Sequence, residues 1–145
     1  MLRIAASLLH KHIRNDAELT DTFVRYQTAF IFQVSQSVAC NGLHQIEQRC
    51  CRWLLMTHDR VERDDLPLTH ESLAMMLGVR GPSVTQVLHS LEDKRLVSNQ
   101  RGVIRSEDRK GLEATSCECY SLVQNEFNRL LPQALQNTKD WLRRN

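Results

Sequence analysis

"LPLTHESLAMMLGVRGPSVTQVLHSLEDKRLV", residues 66–97, holds two short amphipathic patterns separated by a tight turn at Gly78. Thr69 stands where an N-cap is needed: its hydroxyl can accept from an orphan amide of the first turn, and Glu71 suits the positive end of the helix dipole. Gly78 supplies a left-handed stop, so the spacing predicts a helix over 70–77. Pro82 fits a first helical position, where its missing N–H costs nothing. Val84, Val87, Leu88 and Leu91 follow at helical spacing and predict a second helix that ends near Lys94. The chain then turns at Gln100-Arg101-Gly102 within "LVSNQRGVIRS", which reads as a small hairpin.

Two short helices joined by a tight turn and followed by a hairpin make the pattern of a winged helix-turn-helix. Burial of Leu73, Met76 and Leu77 from the first helix, and of the four apolar residues from the second, leaves Ser83, Gln86, His89 and Ser90 pointing outward. A helix N-terminus carries free amides, so residues 82–84 with the Ser83 hydroxyl are suited to a phosphate. Gln86 has the amide needed for an adenine edge, and Arg80 at the helix mouth can reach phosphate or guanine. Arg101 at the hairpin tip and Arg105 beyond it suit contacts with a nucleic-acid backbone. The alternative is a polar outer face that meets only water. Seven basic residues stand against six acidic ones between positions 69 and 115, so bulk charge does not decide between the two.

Upstream, residues 15–41 contain no proline and no glycine, and Leu19, Phe23, Tyr26 and Phe30 recur at heptad spacing. Val24, Ile31, Phe32, Val34 and Val38 widen that apolar surface beyond a narrow stripe. Either the stripe packs on the rest of the same chain or it pairs with a parallel copy across a dimer axis. A second helical pattern runs from Asn41-Gly42 to about His58, with Cys50 and Trp53 on its apolar face. Asp108 can cap a single last helix that carries Leu112, Cys119, Leu122, Val123, Phe127 and Leu130 and that Pro132 closes.

The 145 residues are 41% apolar, enough for a packed core, and 19 basic residues nearly balance 17 acidic ones. Five cysteines, an odd number, read as reduced thiols of a cytoplasmic protein. The first thirteen residues are apolar only in short runs, which fits neither a signal peptide nor a membrane span. On one helix, Cys117 and Cys119 would turn their thiols to nearly opposite sides, adjacent Cys50 and Cys51 cannot easily face one ion, and the histidines lack ligand spacing. No metal site is therefore expected. No nucleophile, acid–base set or glycine-rich phosphate loop emerges either, so no enzyme is expected.

"CNGLHQIEQRCCRWLLMTHDRV" (40–61), the 66–97 stretch and "DRKGLEATSCECYSLVQNEFNRLL" (108–131) together resemble, in order and spacing, the C-terminal half of Crp/Fnr-type transcription regulators. The resemblance covers about residues 13–131. It implies a mainly α fold in which a long dimerisation helix leads into a winged helix-turn-helix with a small β-hairpin wing. The corresponding segments are a junction remnant at 1–14, the dimerisation helix at 15–40, a DNA-binding domain at 41–131 and a tail at 132–145.

The expected partners are double-stranded DNA carrying an inverted repeat and a second copy of the chain paired through Leu19, Phe23, Tyr26 and Phe30, with RNA polymerase as a further candidate. By position in the family, Ser83 would contact phosphate, Gln86 would read a base, and Arg80, His89 and Arg101 would support backbone contacts. No cofactor is implied: the family's N-terminal sensor barrel and the upstream cysteines of its iron–sulfur members have no counterpart in this sequence. Gly81 stands where many relatives carry a basic residue, and Val103, Ser106 and Glu107 occupy wing positions that are often basic or apolar. Without a sensor, the competing expectation is an interaction module that heterodimerises with a full-length relative and modulates it.

Overall fold

The computed structural model of the chain describes residues 3–61, 63–100 and 102–132. These residues form α1 (Ala6–Asn15), α2 (Ala17–Leu43), α3 (Ile46–Val61), β1 (Asp65–Leu66), α4 (His70–Leu77), α5 (Gly81–Asp93), β2 (Val97–Gln100), β3 (Val103–Ser106), α6 (Arg109–Thr115) and α7 (Cys119–Leu130). The fold is mainly helical with one small antiparallel sheet. The described residues divide into two compact units, one of residues 36–122 and one of residues 3–35 with 123–132. Residues 133–145 of the tail expected at 132–145, and the hairpin-tip Arg101, lie outside the described residues.

Asp16 decides where the long helix begins. Its backbone is extended (φ −129°, ψ 105°), which ends α1, and its Oδ1 accepts the Leu19 N–H at 2.9 Å, which starts α2. The helix expected over 15–40 thus runs from Ala17 to Leu43 and carries Asn41-Gly42 in its last turn. Within the unit of 3–35 and 123–132, Ala29 is fully buried, Tyr26 stacks on Phe30 at 6.3 Å, and Phe127 meets Tyr26 edge-on at 6.4 Å.

In the unit of 36–122, α3 supplies Cys50, Cys51, Leu54, Leu55 and Met56 to one core, joined by Leu73 and Leu77 of α4 and by Val84, Val87, Leu88 and Leu91 of α5. Burial pushes the thiols of Cys50 and Cys51 up to about 12, so both stay neutral and behave as small apolar side chains. The sheet has the order β1-β3-β2 and adds Leu66, Val97 and Ile104 to the same core. The expected hairpin is present, with Val97 paired to Ser106 and Gln100 to Val103, and Gly102 takes the left-handed turn (φ 82°). The sheet nevertheless has a third strand: Asp65 pairs with Arg105 and Leu66 with Ile104. Two residues carry no readable alternation, so only the partner edge of β3 makes this segment a strand.

The single helix expected from Asp108 to Pro132 is two. Asp108 does cap α6, with its Oδ1 accepting the Gly111 N–H at 3.0 Å, but the chain leaves the helix at Ser116 (φ −70°, ψ 161°) and restarts at Cys119. A network requires the break. Arg109 donates to the Tyr120 hydroxyl at 2.7 Å and pairs with Asp59 of α3 at 2.7 Å, while the Tyr120 hydroxyl donates to Asp59 at 3.0 Å. On an unbroken helix, eleven residues would hold Arg109 and Tyr120 about 16 Å apart along the axis. Gly111 fits the same corner, because a Cβ there would lie 2.3 Å from Leu96 Cδ2.

Truncating Leu91→Ala should cost about 2–5 kcal/mol, read as a lower urea midpoint at unchanged slope. A second outcome concerns pH. Burial, followed by the neighbouring Asp59 carboxylate, pushes the Tyr120 hydroxyl up to about 12 from its ordinary 10. Its folded-state pKa is raised, so its contribution is complete below pH 10 and is lost as the pH rises towards 12. Tyr120→Phe should therefore be less stable at neutral pH, yet lose less further stability than the parent between these limits in denaturant titrations.

Candidate nucleic-acid interface

The turn between α4 and α5 is built as the sequence predicts. Thr69 accepts the Ser72 N–H at 3.1 Å, and Gly78 is left-handed (φ 63°, ψ 38°). The amide of Gly78 donates to Met75 O at 3.2 Å and that of Val79 to Ala74 O at 3.0 Å, which satisfies these two carbonyls at the end of α4. Arg49 of α3 donates to the Leu77 carbonyl. Helix α5 begins at Gly81, one residue before Pro82, with Arg80 as an extended N-cap (φ −80°, ψ 151°).

Four buried residues of α5 fix its rotation: Val84, Val87, Leu88 and Leu91 face the core, so Pro82, Thr85, Gln86 and His89 face outward and are exposed. Arg80 is exposed at the helix mouth. His89 is 76% exposed, with its Nδ1 3.8 Å from Glu92 of the next turn. Ser83 and Ser90, expected outward, are only half-buried flanks of this face. At the helix end expected to suit a phosphate, Pro82 has no N–H and the Ser83 N–H is donated to Arg80 O at 3.0 Å. The Arg80 side chain and the Ser83 hydroxyl are the polar groups that remain at this end.

A relay that the sequence does not advertise ties the outward face to the sheet. Asn99 of β2 lies with its side-chain nitrogen 2.7 Å from His70 Nε2, and His70 Nδ1 lies 3.4 Å from Thr85 Oγ1. If Asn99 donates to Nε2, Nδ1 carries the proton and donates to Thr85, whose hydroxyl passes on to the Gly81 carbonyl at 3.3 Å. Glu92 closes the arrangement from α5 by accepting the Asn99 N–H at 2.8 Å. These partners sit fifteen and twenty-nine residues apart, so no local pattern reveals them.

Several basic residues near the interface are already engaged. Arg105 pairs with Asp65 at 3.2 Å and with Glu107 at 3.7 Å, and Lys94 pairs with Glu47 of α3. Arg109 belongs to the buried-edge network with Asp59. Among the described residues Arg80 makes no side-chain hydrogen bond or ion pair. Of the expected pairing residues on α2, Leu19 and Phe23 are half-buried, whereas Tyr26 and Phe30 are 48% and 47% exposed. Val24, Ile31, Val34 and Val38 of that helix are exposed as well, themselves at heptad spacing.

The sequence of residues 48–115 matches the family of Crp-like helix-turn-helix domains. Among solved structures, a Crp/Fnr-family protein of Eubacterium rectale superposes with a TM-score of 0.57 at 22% identity, covering 77% of this chain and 52% of that one. A CRP-family transcriptional regulator of Thermus thermophilus gives 0.56 at 22% identity, covering 78% and 55%. The chain thus spans about half the length of these structures. No curated protein matches the sequence. Among the described residues no helix is long and apolar enough to cross a membrane.

Thr69→Ala should cost about 1 kcal/mol through the lost cap, and Gly78→Ala about 1–2 kcal/mol through the left-handed backbone, both measured by thermal unfolding.

Proposed function

Residues 48–115 being a Crp-like helix-turn-helix domain, we propose that this chain is a transcription regulator that binds an inverted repeat in duplex DNA as a homodimer, inserting α5 into the major groove. The observation that carries the reading is the outward face of α5, where Gln86 and His89 stand exposed on a helix whose rotation is fixed by four buried residues. Gln86 reads a base edge, Arg80 and Ser83 contact phosphate at the helix mouth, and His89 supports the backbone one turn on. The relay through His70 keeps the sheet and α5 in one register, so wing and helix meet the duplex together.

The exposed stripe on α2 supports pairing with a second copy: Val24, Ile31, Val34 and Val38 lie at heptad spacing, and Tyr26 and Phe30 border them. Two α5 helices in such a pair enter successive major grooves about 34 Å apart, which is why an inverted repeat is the matching site. RNA polymerase is a candidate further contact. None of these steps calls for catalysis.

Selection from random duplexes followed by gel shifts tests the base-reading role. Gln86→Ala should lose about 1–3 kcal/mol on the selected site and relax preference at one position of each half-site. Unchanged affinity and preference would remove Gln86 from the interface. Gly81→Arg offers the opposite change, since a Cβ at Gly81 meets nothing within 4 Å. It should tighten binding and steepen the salt dependence by about one unit per chain. Ile31→Glu places a charge at a 64% exposed position and should turn a dimer in sedimentation equilibrium into a monomer at micromolar concentration, with folding retained.

A further inference from the structure

Cys40, Cys117 and Cys119 form a small buried cluster of their own, separate from the main core. Three thiols grouped with one imidazole beside them are side chains of the types that ligate a soft metal ion. Cys40 Sγ lies 3.5 Å from Cys117 Sγ, and Cys119 Sγ lies 3.5 Å from His44 Nδ1. The four ligand atoms all fall within 4.8 Å of one another. A tetrahedral zinc ion, with bonds of about 2.3 Å to sulfur and about 2.0–2.1 Å to nitrogen, requires separations of roughly 3.5–3.8 Å, so small side-chain adjustments close the shell.

The break between α6 and α7 creates this arrangement. On one continuous helix the thiols of Cys117 and Cys119 would diverge, but Cys117 sits in the link after Ser116 and Cys119 opens the next helix. From the other side, Cys40 lies in the last turn of α2 and His44 directly follows that helix, with its amide bonded to Cys40 O at 3.1 Å.

We propose that Cys40, His44, Cys117 and Cys119 form a structural zinc site that staples the end of α2 to the α6–α7 link. Three thiolates and one imidazole favour zinc over magnesium or calcium, which take oxygen. Four protein ligands leave no open position for substrate, the mark of a structural site. The three thiol protons leave to solvent on binding.

The surroundings match the outer shell of such an ion. His44 directs Nδ1 to the cluster, while its Nε2 donates to Glu118 Oε1 at 3.1 Å, the carboxylate that orients a metal-bound imidazole. Gln36 donates Nε2–H to Cys119 Sγ at 3.1 Å, as suits a thiolate. A divalent ion with three thiolates carries one net negative charge, and a buried cation stands nearby. Arg52 is fully buried and acts electrostatically on Cys40, and its Nη1 donates to Ser37 Oγ at 3.2 Å. Its Nη1 also reaches Met56 Sδ at 3.5 Å and its guanidinium lies over the Trp53 ring at 5.1 Å, while its Nε and Nη2 make no hydrogen bond, so among the described residues no carboxylate neutralises it through a hydrogen bond.

The full chain, purified without added chelator, should retain one zinc per chain through gel filtration by elemental analysis. After stripping and reduction, cobalt(II) should give the intense visible bands of a tetrahedral thiolate site, bleached by one equivalent of zinc. Glu118 is exposed, so Glu118→Gln leaves the core intact and should weaken zinc affinity by about 10–100-fold. Cobalt(II) spectra of the parent chain showing only six-coordinate oxygen or nitrogen ligation would overturn the site. So would stoichiometric zinc in the doubly substituted Cys117→Ser, Cys119→Ser chain, or a Cys40–Cys117 disulfide with no cobalt uptake after reduction.

Discussion

The left-handed backbone at Gly78 is the constraint on which the interface depends. It ends α4 after two turns and, with Val79 bonded back to Ala74, sends the chain into α5 at an angle that lets both helices bury one face against α3. Leu73 and Leu77 on one side and Val84, Val87, Leu88 and Leu91 on the other then close on Leu54 and Leu55. Burying these side chains contributes about 1.5–3 kcal/mol each, far more than any polar contact on the outer face. Hydrophobic packing therefore sets the orientation of Gln86 and His89, and recognition inherits it.

Electrostatics plays a different part from the one that net charge suggests. Three of the seven basic residues between positions 69 and 115 are committed to carboxylates: Arg109 to Asp59, Arg105 to Asp65 and Lys94 to Glu47. Exposed pairs of this kind contribute little to stability, but they withdraw charge from the field that a nucleic acid would meet. Arg80 stands out because it combines exposure with a place at the helix mouth. A duplex would be held less by a broad basic surface than by a few contacts at the start of α5.

The break at Ser116 serves two ends at once. It brings Tyr120 back to Arg109 and Asp59, and it gathers Cys117 and Cys119 beside Cys40 and His44. The first closure is a hydrogen-bonded network around α3; the second is a ligand cage at the end of α2. Both depend on the same departure from helical backbone, so a substitution that straightened this corner would disturb the two together.

Local signals determined much of this protein from sequence alone. Thr69 as a cap, Gly78 as a stop, Pro82 near a helix start and the apolar spacing of α5 act within one or two turns, and the structure repeats them. The outward placement of Gln86 and His89 followed from that spacing. Tertiary structure decided whatever depends on distant partners. The two-residue β1 exists only because β3 offers an edge, and the His70–Asn99–Thr85 relay joins three elements. The exposed stripe of α2 is set by what covers Leu19 and Phe23, since periodicity gives a helix several apolar lines and only burial chooses among them. The four-residue ligand set is the clearest case: Cys117 and Cys119 diverge on an ideal helix, and they converge only where the chain breaks between α6 and α7, at the corner where Tyr120 meets Arg109 and Asp59.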